Sequence, residues 1–83
     1  MRAFEIVWTE PALRELHKLD RVVSRRIIEK VRELRTNPYR YVTRLVNSPL
    51  YRLRVGKYRV ILDVQGHTLR ILVLKVGARS TAY

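Results

Sequence analysis

The chain has 83 residues, which fits one domain with a modest core. Its hydrophobic content of 47% excludes a disordered tail, and the absence of cysteine excludes disulfide staples and thiolate metal sites. A formal net charge of +11 points to a polyanionic partner, for which phosphate is the commonest source.

Residues 3–8, Ala-Phe-Glu-Ile-Val-Trp, read as a first strand. Thr9 is placed to cap a helix carrying Pro11 in its first turn. Leu13, Leu16 and Leu19 give that helix a narrow apolar stripe. Asp20 is the expected cap of a second, longer helix on which Val23, Ile27, Val31 and Leu34 share a face. Arg21, Arg25, Lys30 and Arg32, interspersed with Glu29 and Glu33, form a solvated opposite face. Thr36-Asn37-Pro38 ends this helix. Residues 38–50 read as a connection in which Tyr39, Arg40, Tyr41 and Arg44 interleave aromatic and basic groups. Such residues either stack bases and hold phosphates or anchor a long loop to the domain.

From Tyr51 to Arg59 the sequence alternates apolar and basic residues and breaks at Gly56-Lys57. This is a β-hairpin pattern with a two-residue turn, glycine supplying the positive φ of primed turns. Pairing across the turn sets Val55 opposite Tyr58, Arg54 opposite Arg59 and Leu53 opposite Val60. One face then carries Tyr51, Leu53, Val55, Tyr58, Val60 and Leu62, and the other Arg52, Arg54 and Arg59. Opposed like charges cost a sheet roughly 0.2–1 kcal/mol, so the cluster calls for a polyanion between the arginines. A Gln65-Gly66 turn leads to a last strand over Thr68–Val76. It is apolar on both sides, as a central strand would be, with Leu69, Ile71 and Val73 toward the core. The expected fold is therefore α+β in the order β-α-α-β-β-β, a small twisted and mainly antiparallel sheet with a helical pair on one face. The arginine face is left open to a large ligand.

Charge is distributed unevenly. Residues 1–33 carry a net +2, whereas residues 34–83 carry ten basic residues and a single acid, Asp63. Fourteen of the eighteen basic residues are arginine, whose planar fork suits bidentate phosphate contacts. With glycine only at positions 56, 66 and 77, no phosphate-binding glycine loop is present. His17 falls on a helix and His67 in a turn, with no cysteine beside them, so no metal site is expected. The N-terminal Met-Arg-Ala-Phe-Glu lacks the apolar core of a signal peptide, and no stretch is apolar enough to span a membrane, as expected of a cytoplasmic protein.

The run Tyr51-Arg-Leu-Arg-Val-Gly-Lys-Tyr-Arg-Val-Ile-Leu-Asp63, followed by Val76-Gly77-x-Arg79-x-x-x-Tyr83, resembles the RelE/ParE superfamily of toxin–antitoxin toxins. It is most similar to the archaeal RelE branch. Trp8-Thr-Glu-Pro-Ala-Leu-Arg-Glu-Leu16 and Asn37-Pro38 extend the resemblance over essentially the whole chain, one domain over residues 1–83. The resemblance implies a RelE-like microbial RNase fold. It also implies metal-independent, ribosome-dependent cleavage of messenger RNA, without a cofactor. Arg59 and Arg79 would stabilise charge, Arg52 and Arg54 would hold flanking phosphates, and Tyr83 would be the base. Arg40, Arg44, Lys57 and Lys75 are the further RNA- or ribosome-binding candidates. Ala78 departs from the pattern, since many relatives carry histidine or another polar residue there. The implied partners are an acidic RelB-like antitoxin, the ribosome and its messenger. Two other readings share the sequence features. One is a ParE-type DNA gyrase inhibitor, which the arginine pair and the tyrosine disfavour. The other is a non-enzymatic RNA- or ribosome-binding module.

Overall fold

In the computed structural model, which describes residues 3–78, apolar side chains from two helices and three strands close on one another. The elements are β1 (Glu5–Trp8), α1 (Glu10–His17), α2 (Arg21–Arg32), a 3-10 turn (Glu33–Arg35), β2 (Val42–Arg44), β3 (Tyr51–Val55), β4 (Tyr58–Gln65) and β5 (Arg70–Ala78). The five strands form one sheet in the order β1-β5-β4-β3-β2. β1 runs parallel to β5, and every other neighbouring pair is antiparallel. The fold is thus α+β with a mixed sheet, and β5 is internal, as its two apolar faces demand. The three-residue β2 is an addition to the expected order. It falls within the segment read as a connection, and its run is too short to display a period.

Each helix begins where its chemistry dictates. Asp20 accepts a hydrogen bond from the Val22 backbone N–H (3.1 Å) and caps α2. Thr9 occupies the cap position of α1 but makes no side-chain cap. Pro11 in that first turn has no N–H to offer, and the Thr9 hydroxyl instead donates to the Val73 carbonyl at 2.6 Å. The hydroxyl therefore ties α1 to the centre of the sheet. On α2 and the following turn Ile27, Val31 and Leu34 are buried, as their spacing predicts. On α1 the buried pair is Ala12 and Leu16, while Leu13 is 37% exposed and Leu19 lies past the helix end. Leu19 nevertheless packs against the core, partly buried, so of the three leucines only Leu13 turns outward.

Against the helices pack Leu53 and Val55 of β3, Val60 and Leu62 of β4, and Ile71, Val73 and Val76 of β5. The spacing of the β5 residues changes between Val73 and Val76 because the ladder slips. Ile61 pairs with Lys75 but Leu62 with Val73, so Leu74 is an extra residue and the alternation shifts by one. The connection before β5 also differs from the expected two-residue turn. Gln65 pairs with Arg70, leaving Gly66–Leu69 as a four-residue loop in which Leu69, not Gly66, adopts positive φ (54°). Leu69 is consequently outside the strand, and its carbonyl accepts from the Glu5 N–H at 2.8 Å. No helix of the described residues is long and apolar enough to cross a membrane.

The β3–β4 turn is as the sequence predicts, with Gly56 at φ +56° and Arg54 opposite Arg59. A Cβ at Gly56 would lie 3.6 Å from Arg26 Nη1, an ordinary contact, so the constraint is the backbone angle alone. Gly56→Ala is expected to cost about 1 kcal/mol, lowering Tm by about 4–8 °C. An unchanged Tm in thermal denaturation would show that the turn does not require the left-handed conformation.

Candidate nucleic-acid interface

Directly opposed residues in neighbouring antiparallel strands share a face, so the register alone assembles the basic surface. One cross-sheet row runs Thr43, Arg52, Ile61, Lys75. The next runs Arg54, Arg59, Gly77, with Tyr41 adjoining Arg54 one residue before β2 begins. The face is not a uniform charged plane. Ile61 is 2% exposed although it is outside the main core cluster. Arg52 and Lys75 flank it in register, and such side chains cover apolar surface with their stems while the charge stays in water.

The electrostatics of this face are one-sided. Arg54 is exposed and Arg52 and Arg59 are half-buried. Among the described residues none of the three guanidinium groups has an ion-pair or hydrogen-bond partner. The ion pairs lie elsewhere: Arg14–Glu10, Lys18–Glu15 and Lys30–Glu33 on the helices, and Arg70–Glu5 between β5 and β1. Asp63, the single acid of the second half, accepts from Gln65 Nε2 at 3.0 Å instead of meeting an arginine. Two half-buried guanidinium groups without a counter-ion can take an anion by bidentate hydrogen bonds.

Arg52 lies between two clefts. The larger, about 550 Å³, joins Arg52 and Arg59 to the apolar residues Leu45, Val46 and Leu50. Its wall is the loop between β2 and β3, folded back by Leu45 N–H to Leu50 carbonyl (3.0 Å), Leu50 N–H to Ser48 Oγ (3.1 Å) and Arg44 Nε to the Ser48 carbonyl (3.2 Å). The smaller, about 300 Å³, is lined by Tyr41, Thr43, Arg52 and Arg54. Both volumes reach the range of small-ligand sites.

The remaining candidates disperse. Arg44 lines the larger cleft while its guanidinium secures the loop. The Arg40 guanidinium sits 5.1 Å from the Tyr41 ring centroid. Lys75 is exposed on the row of Arg52. Lys57 lines a different concavity, with Val23 and Arg26 of α2. Arg79 and Tyr83 lie outside the described residues. The two readings of residues 39–44 divide between residues. Tyr39 packs edge-on against Tyr51, with centroids 5.5 Å apart, as an anchor would, whereas Tyr41 reaches the arginine cleft. Thr43, Leu45 and Leu50 were not legible as cleft residues from the sequence; the only signal was the alternation Tyr41-Val42-Thr43. Among the described residues no group of three or more His, Asp or Glu side chains could hold a metal ion. His17 and His67 are both exposed.

A family model described as "ParE toxin of type II toxin-antitoxin system, parDE" matches residues 6–83. The structure is similar to that of the archaeal RelE–RelB complex from Pyrococcus horikoshii, at 28% identity and TM-score 0.84, covering 96% of this chain and 99% of that one. It is similar to the intact Escherichia coli RelBE toxin–antitoxin complex at 25% identity and TM-score 0.82, covering 92% and 96%. The RelBE2 toxin–antitoxin complex of Mycobacterium tuberculosis shares the fold at 23% identity and TM-score 0.82, covering 93% and 99%. No curated protein matches the sequence.

The opposed arginines set stability against binding. Arg54→Thr removes a like-charge pair and is expected to raise stability by roughly 0.2–1 kcal/mol in urea denaturation. The same change should make the log–log salt dependence of single-stranded RNA affinity shallower by about 0.7. A lower stability together with an unchanged slope would remove Arg54 from the interface.

Proposed function

The chain belongs to the ParE toxin family of type II toxin–antitoxin systems, and from that premise we propose that it is a ribosome-dependent endoribonuclease of the RelE kind, cutting messenger RNA and halting translation. The observation that carries this reading is the pair of half-buried arginines, Arg52 and Arg59, lining one cleft without an anionic partner among the described residues. The likeness to RelE at 28% and 25% identity supports it.

RNA supplies its own nucleophile. The 2′-oxygen attacks the adjacent phosphorus, the bond to the 5′-oxygen breaks, and the products are a 2′,3′-cyclic phosphate and a 5′-hydroxyl end. The enzyme must accept the 2′-hydroxyl proton, neutralise charge on the phosphoryl oxygens and deliver a proton to the leaving oxygen. Arg59 and Arg79 take the charge, with bidentate geometry favouring arginine over lysine. Arg52 and Arg54 hold the flanking phosphates. Arginine remains protonated and is not a base, and Ala78 at the end of β5 has no group to donate. The base role therefore falls to Tyr83, which would take the 2′-hydroxyl proton while the leaving 5′-oxygen takes one from water, and the ribosome completes the site by orienting the messenger. Arg40, Arg44, Lys57 and Lys75 contribute long-range attraction to RNA and ribosome. An acidic, RelB-like antitoxin is the corresponding partner in the cytoplasm, covering the arginine face until it is removed.

A second reading, inhibition of DNA gyrase, is favoured by the name of the matching family model. The two readings separate in parallel assays. Primer extension on translating ribosomes should reveal cut messenger, while plasmid supercoiling by gyrase should be unaffected. Arg59→Ala and Arg79→Ala should each lower cleavage at least about tenfold through loss of one charge stabiliser. Uncut messenger in the presence of folded wild-type protein would overturn the nuclease reading, and inhibited supercoiling would replace it with the second.

A further inference from the structure

Four observations converge on Tyr41. Tyr41 is 53% exposed despite its size. It lines the 300 Å³ cleft together with Arg52 and Arg54, so the ring and two unpartnered guanidinium groups look into the same space. Thr43, which pairs with Arg52 in the β2–β3 ladder, lines the same cleft, so the chain just before β2 runs beside the strand that carries both arginines. The Arg40 guanidinium lies 5.1 Å from the ring centroid and adds a third cation beside the ring, while the cleft itself is lined by Tyr41, Thr43, Arg52 and Arg54. An exposed aromatic surface next to cations is what a nucleobase and its phosphate jointly recognise. The other tyrosine of this segment, Tyr39, has its ring committed to Tyr51.

We infer that Tyr41 is a base-stacking residue. It receives the nucleobase attached to the phosphate held by Arg52 and Arg54, while Arg59, opposite Arg54 in the ladder, lines the larger cleft with Arg52. The inference rests on the nucleic-acid reading of this face but not on cleavage. Tyr41 positions the strand, and its single ring face suits any base, so it sets register along the RNA and not the identity of the nucleotide. Arg40 holds the ring in place through its cation–π contact and is a positioning residue.

The test is binding of a short single-stranded RNA containing 2-aminopurine, read by the quenching that accompanies stacking of that base. Wild-type protein and Tyr41→Phe should quench it. Tyr41→Ala, shown to be folded by circular dichroism, should lose the quenching and bind roughly 5- to 150-fold more weakly, as one lost stack implies. Arg59→Ala should weaken binding yet retain quenching, because it leaves the ring in place. Quenching by Tyr41→Ala equal to wild type would overturn the inference. So would unchanged RNA quenching with weakened antitoxin binding, which would assign the ring to the protein partner. Because the readout needs no catalysis, intact quenching without cut messenger would refute the nuclease reading while upholding the stacking role.

Discussion

A slip of one residue between β3 and β4 would turn one of the two strands inside out. Either Leu53 and Val55 would face water and Arg52 and Arg54 enter the core, or Val60 and Leu62 would be exposed and Arg59 buried, because strand side chains alternate with a period of two. The left-handed Gly56 fixes the turn, and the buried residues penalise any other register. Both faces follow from that one alignment. The same ladder that packs Val60 beneath the helices sets Arg54 opposite Arg59, so the basic surface cannot be displaced without dismantling the core.

This alignment was legible because alternation and a turn glycine are local signals. The same holds for α2, where Asp20 and the Val23-Ile27-Val31 spacing announce both cap and buried face. What stayed hidden has specific physical causes. β2 is three residues long and has no period to display. The loop before β5 places its positive φ on Leu69, a bulky residue that sterics disfavour there, and not on Gly66. The extra residue Leu74 in the β4–β5 ladder moves the buried position to Val76, and no composition marks a bulge of this kind. Within the interface, Arg52, Arg54 and Arg59 followed from register. The clefts around them did not, because their walls come from backbone hydrogen bonds in residues 45–50 that carry no sequence periodicity. Arg79 and Tyr83 rest on the family resemblance.

The distribution of acids explains how so basic a chain folds. Glu10, Glu15, Glu33 and Glu5 each balance a neighbouring lysine or arginine at an exposed position, where such pairs contribute little individually. Three of these pairs lie on the helical side and the fourth joins β5 to β1. On the sheet face the guanidinium groups of Arg52, Arg54 and Arg59 have no such counter-ion among the described residues, so their charges add up to a local field there. Burial of Ile61 within that face keeps part of its energy apolar, offsetting some of the repulsion.

The parallel pairing of β1 with β5 has a temporal consequence. β1 is synthesised first of the strands and β5 last, yet each is the other's neighbour, and Thr9 reaches across to Val73. While the intervening segments emerge from a ribosome, β1 has no ladder to join, and the helices lack the wall that Ile71, Val73 and Val76 provide. Closing that separation requires nearly the whole described chain, which is the situation of a slow, non-local folder. The row through Arg59 ends on β5 at Gly77. The basic surface is therefore a property of the assembled sheet and of no nascent fragment, and a partially synthesised copy carries its arginines without the geometry that organises them.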